Sequence, residues 1–145
     1  MSLSSAKWFR ASLGIWGEEL RPDEITSRLE LKPTRTHIRG EGKSSRNQLV
    51  WKDSYWSFDC PIAAEHNPVE HLEWLLDLLE PRAAILKEIS ARFRVEIWCG
   101  FSSENGQGGF TMVASTLKRI ANLEIPMTLD LYPPQVEELS EETGE

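Results

Sequence analysis

No apolar run in this chain approaches the roughly 20 residues needed to span a bilayer, so no membrane helix is expected. Lys7, Arg10 and Glu18 interrupt the N-terminal region, which excludes a continuous apolar signal segment. The expected address is the cytoplasm. Cysteine is scarce. Cys60 and Cys99 each sit in an apolar, strand-like stretch and read as small buried thiols, and a chain of 145 residues needs no disulfide to fold. Histidine occurs only at 37, 66 and 71. His66 and His71 are five apart, a spacing that does not stack them on one helix face as a metal pair would require. There is no Cys-x-x-Cys, no His-Glu-x-x-His and no Gly-x-Ser-x-Gly elbow. No metal, cofactor or catalytic residue is therefore assigned. Gly40-x-Gly42 and Gly106-x-Gly108-Gly109 lack the strand-to-helix context of a phosphate loop and read as turn glycines.

The formal charge of −7 is unevenly placed. Five glutamates and no base lie in 135–145, leaving −2 for the rest of the chain. This acidic end reads as a solvated tail behind a single domain over 1–134. The nearly neutral body offers no field for nucleic acid, so none is expected as a partner, and neither is a membrane.

Alternation and helical spacing define the elements. Residues 7–16 read as a strand closed by Gly17, followed by a short helix with Pro22, Asp23 and Glu24 in its first turn and Ile25 and Leu29 on one face. The stretch 32–47 reads as a polar loop carrying Lys32, Arg35, Arg39, Lys43 and Arg46 against Glu41 alone. Trp56, Phe58 and Cys60 then alternate with Tyr55, Ser57 and Asp59, and 49–51 is either an earlier strand or its extension. Asn67-Pro68-Val69-Glu70 is a capped helix start, and an apolar stripe from Val69 to Ile89 implies a helix to about Arg92, kinked at Pro81. Trp74 and Leu78 on it read as core. A strand over 94–101 is expected to turn through Asn105-Gly106 into a hairpin partner at 110–113. Leu117, Ile120, Ala121 and Leu123 mark the last helix, and Ile125 to Leu131 a closing strand that Pro133-Pro134 ends. The order βα followed by βαββαβ implies an α+β fold: a mixed, largely antiparallel sheet of about five strands, helices on one face, in ferredoxin-like element order.

Successive side chains of a strand point to opposite faces. Trp8, Arg10, Ser12 and Trp16 therefore oppose Phe9, Ala11, Leu13 and Ile15, and Trp98 shares a row with Arg94 and Glu96. Large aromatics on a polar sheet face are the chain's most pointed feature. If helices cover only one face, the other shows Trp8, Arg10, Ser12, Trp16, Glu96, Trp98, Thr128, Asp130 and Tyr132.

The runs Ala11-Ser12-Leu13-Gly14-Ile15-Trp16-Gly17, Pro22-Asp23-Glu24-Ile25-Thr26 and Leu31-Lys32-Pro33-Thr34 carry a family resemblance. So do Gly40, Trp56, His71-Leu72-Glu73-Trp74-Leu75-Leu76, Leu79-Glu80-Pro81, Gly108-Gly109-Phe110 and Leu129-Asp130-Leu131-Tyr132. In order and spacing over about 8–132 the chain resembles an uncharacterised, mainly bacterial family, the domain of unknown function 4279. The resemblance implies a free-standing cytoplasmic domain and carries over no functional residue.

Three functions follow from these residues. The first is a non-enzymatic protein-interaction module, binding a partner or a second copy through Trp8, Arg10, Trp16, Trp98 and Tyr132, residue types favoured at interface centres. The second is a domain for a small anionic ligand held by Arg35, Arg39, Lys43 and Arg46 of the basic loop. An unrecognised enzyme is the third.

Overall fold

The computed structural model describes residues 8–43, 49–102 and 109–132. The acidic tail, the Pro133-Pro134 stop, Arg46 and the Asn105-Gly106 turn lie outside the described residues. Five strands form one mixed sheet: β1 (Trp8–Gly17), β2 (Arg35–His37), β3 (Ser54–Asp59), β4 (Arg94–Ser102) and β5 (Met127–Tyr132), in the order β2-β3-β1-β4-β5. β1 is central and antiparallel to both β3 and β4, β2 is antiparallel to β3, and β5 runs parallel to β4. The helices are α1 (Pro22–Leu29), α2 (Pro68–Leu79), α3 (Ala83–Ser90) and α4 (Ala114–Leu123). No described helix is long and apolar enough to cross a membrane.

The alternation of β1 decides the layering. Phe9, Ala11, Leu13 and Ile15 are all buried and face the helices. α1 docks there because Trp56, completely buried on β3, donates its indole N–H to the Thr26 hydroxyl (3.0 Å). α2 contributes His71 edge-on to Phe9 and Trp74 stacked on Phe58, with Leu72, Leu75, Leu76 and Leu79 filling the space between. Leu78 packs against the core as its spacing implied, whereas Trp74 is only partly buried and covers Phe58 at the margin. Asn67 caps α2 by accepting from the Val69 N–H (2.9 Å), and Pro68 occupies the first turn.

The expected kink at Pro81 is a 3-10 turn over Glu80–Arg82 that separates α2 from α3. Arg82 braces this break, donating from Nε to the Leu29 carbonyl (2.7 Å) and from Nη1 to the Leu78 carbonyl (2.8 Å). One side chain thereby ties the end of α1 to the end of α2. Arg119 does the same for α4, reaching Asp77 (2.6 Å) and Glu80 (2.7 Å).

Two sequence readings need correction. Gly109–Val113 forms no strand, so β4 has no hairpin partner there; its free edge pairs instead with β5 from Ile97↔Met127 to Ser102↔Tyr132. Phe110 is drawn to the core, edge-on to Phe9 (5.5 Å) and tilted on Phe101 (5.6 Å), and core packing outweighs ladder pairing for so short a segment. The ferredoxin-like element order accordingly does not form, although the α+β class and the five-stranded mixed sheet do. The basic stretch is also not all loop. Arg35–His37 forms the edge strand β2, and Gly42 bridges Val50 beyond it. Every residue of β2 is polar, so no apolar alternation announces it; the open backbone of β3 recruits it.

Candidate functional site

The helix contacts of Trp56, Phe9 and Phe58 all fall on one face of the sheet, and the strand register arranges the other face in transverse rows. At one end, His37, Tyr55, Trp16 and Arg94 stand opposite one another across β2, β3, β1 and β4. Their rings form a continuous ladder. Trp51 stacks on His37 (3.5 Å between centroids), His37 on Tyr55 (5.1 Å), and Tyr55 on Trp16 (5.0 Å). A cation closes each end: Lys43 Nζ lies 4.9 Å from the Trp51 ring, and the Arg94 guanidinium 4.6 Å from Trp16. Such contacts contribute about 0.5–1 kcal/mol each at exposed sites and fix ring orientation.

The opposite end carries a second group. Trp8 packs on Tyr132 (5.2 Å), Trp98 meets Tyr132 edge-on (6.5 Å), and Arg10 lies 5.5 Å over Trp8. A polar belt adjoins both groups: Arg35, Ser57, Gly14 and Glu96 form one row, and Asp59, Ser12 and Thr128 the next, which Trp98 of the second group completes. Within it Arg35 approaches Asp59 (3.3 Å), and Thr128 donates to the buried Glu96 carboxylate (3.0 Å).

Glycine makes room for the indoles. An added Cβ at Gly14 would stand 2.7 Å from Trp16 Cη2; one at Gly100 would stand 2.5 Å from Trp98 Cη2 and 3.0 Å from Trp8 Cζ3. The rings therefore lie flat over bare backbone and are half-buried by their own sheet while presenting an outer surface.

The five residues expected on this face, Trp8, Arg10, Trp16, Trp98 and Tyr132, all lie there, but in two groups rather than one. The four basic-loop residues are not gathered. Arg35 faces Asp59, Arg39 approaches Glu18 (4.0 Å), Lys43 covers Trp51, and Arg46 is outside the described residues. The sequence reading missed His37 and Trp51, whose membership depends on β2. Tyr55 and Asp59 were legible in the alternation of β3.

The thiols are unpaired. Burial pushes Cys99 up to about 12 and raises Cys60 as well, so neither is a ready nucleophile. Burial lowers both His37 and His71, which favours neutral imidazoles. Among the described residues, no three of His, Cys, Asp and Glu stand close enough to hold a metal ion.

The family-wide sequence profile of DUF4279, a domain of unknown function, matches residues 6–134. The chain belongs to the DUF4279 family. Nothing among curated proteins or solved structures matches it. The matched stretch includes every strand of the aromatic face, so the ladder and the Trp8–Trp98–Tyr132 group lie within it.

Proposed function

We propose that this DUF4279 chain is a non-catalytic recognition module of the bacterial cytoplasm, docking a protein surface on the open face of its sheet. The observation that carries the reading is the set of indoles laid over Gly14 and Gly100 on the face opposite the one that Phe9, Trp56 and Phe58 turn to the helices. Aromatics held this way lose little side-chain freedom when a partner arrives, which lowers the cost of association. Guanidinium groups over Trp8 and Trp16 add the other side chain favoured at interface centres. Two unbonded thiols fit a reducing compartment.

The test compares wild type with Trp16→Ala and Trp98→Ala. Sedimentation across a dilution series reports self-association, and capture of the tagged chain from its own cells followed by quantitative mass spectrometry reports a partner. A central indole should contribute about 2 kcal/mol, roughly a 30-fold loss of affinity on removal. A chain that stays monomeric, and whose captured proteins are the same for wild type and both variants, overturns the reading.

A further inference from the structure

A cleft lies where β3 leaves β1. The Cys60 N–H still reaches the Ala11 carbonyl (2.9 Å), and the Phe9 N–H reaches the Ala64 carbonyl (2.9 Å). Between these two anchors the chain bows away from β1 and opens a cavity of about 300 Å³. Arg10, Ser12 and Trp98 line it from the open face, Arg35 and Asp59 from the neighbouring strands, and His71 from the helix side. The cleft thus crosses from the open face of the sheet toward α2.

We propose that this cleft binds a small hydroxycarboxylate, with Arg10 and Arg35 taking the carboxylate and His71 accepting the hydroxyl proton in a hydrogen bond. His71 is 1% exposed, and its Nε2–H donates to the Ala63 carbonyl (3.1 Å), which leaves Nδ1 as an acceptor. That Nδ1 is buried and has no hydrogen-bond partner. A buried acceptor without a partner is costly, and a ligand hydroxyl removes the cost. At the mouth, Arg10 forms no ion pair among the described residues, and its guanidinium lies over the Trp8 ring. Arg35 meets Asp59 at 3.3 and 3.4 Å, longer than the 2.7–2.9 Å of a strong charge-assisted pair, so its guanidinium has donors to spare. Two arginines against one aspartate favour a single negative charge, and the Trp98 indole supplies an apolar wall for the ligand's carbon frame. The volume sits at the small end of ligand cavities, which excludes nucleotide-sized molecules.

The cleft shares Arg10 and Trp98 with the docking face, but Trp16 lies at the far end of that face and does not line the cleft, so Trp16→Ala tests docking alone and separates the two readings. Calorimetric titration of the full chain with lactate, malate and 3-phenyllactate, each beside its counterpart lacking the hydroxyl, tests it. At least one hydroxy acid should bind, its counterpart should bind roughly tenfold or more weakly, and Arg10→Met should weaken the hydroxy acid by a similar factor. Arg10 is exposed, so that variant keeps its fold; His71→Leu risks the core and is replaced by the 15N signal of His71 Nδ1, which should move on titration. No binding by any hydroxy acid, equal binding of the counterparts, an Arg10→Met affinity equal to wild type, or an unmoved Nδ1 signal overturns the proposal.

Discussion

Trp16 lies across Gly14, two residues earlier on the same face of β1, so closely that a methyl group there would meet the ring at 2.7 Å. Glycine inside a strand ordinarily weakens it by about 0.5–1 kcal/mol relative to alanine. Here it is the seat of an indole. Gly14→Ala should lift the ring rather than break the sheet, because the clashing atoms are the far end of a side chain. Stability should stay within about 1 kcal/mol of wild type, while the tryptophan emission shifts to the red. Chemical denaturation followed by fluorescence checks both; a variant with unchanged emission would show that the ring does not rest there.

Trp56 and Trp16 are the same residue type in opposite settings. Trp56 is fully buried and hydrogen-bonded to Thr26, so Trp56→Ala should cost about 3–5 kcal/mol. Trp16→Ala removes a half-buried ring and should cost about 1–2 kcal/mol. Urea midpoints of the two variants should rank accordingly, and equal costs would mean that the open face is core.

Removal of the Arg82 side chain leaves two helix-end carbonyls, those of Leu29 and Leu78, without its donors. Arg82→Met keeps the length of the stem and should lose about 1–3 kcal/mol. Proteolysis should then open the α2–α3 break first, seen as early cuts near residue 80 by mass spectrometry.

Stability should fall as the medium is acidified below about pH 6.5. His71 and His37 are lowered chiefly by burial, so between their folded values and the ordinary value the unfolded chain binds more protons and unfolding gains. The stabilisation is complete above pH 6.5 and is lost toward the folded value, with a slope of at most about 1.4 kcal/mol per pH unit for each histidine. Urea titrations between about pH 5 and 7.5 measure it. Replacing His37, on the open face, by Asn should flatten the slope by as much as one proton.

Much of this fold was legible residue by residue. The alternation of Phe9, Ala11, Leu13 and Ile15 located β1 and the side it turns to the core. Asn67-Pro68 located the start of α2, and Pro81 the break after it. β2 was illegible because Arg35, Thr36 and His37 show no apolar period; an edge strand of polar residues is selected by the backbone it joins. The strand expected at 110–113 failed for the converse reason. Phe110 and Met112 alternate well enough for a strand, but β5 already occupies the edge of β4, and the aromatic side chain is better used in the core.

Local chemistry along the chain, through side-chain period, proline position and capping, was sufficient to determine the main helices, the buried row of β1 and the face that carries the indoles, whereas the apolar row of β5 leaves Leu129 and Leu131 exposed. Which strands lie side by side was decided only in three dimensions, because pairing depends on competition for backbone edges between segments far apart in sequence. That competition joined His37 and Trp51 to Trp16, separated Trp16 from Trp98, and brought Arg10, Arg35 and His71 to one cleft.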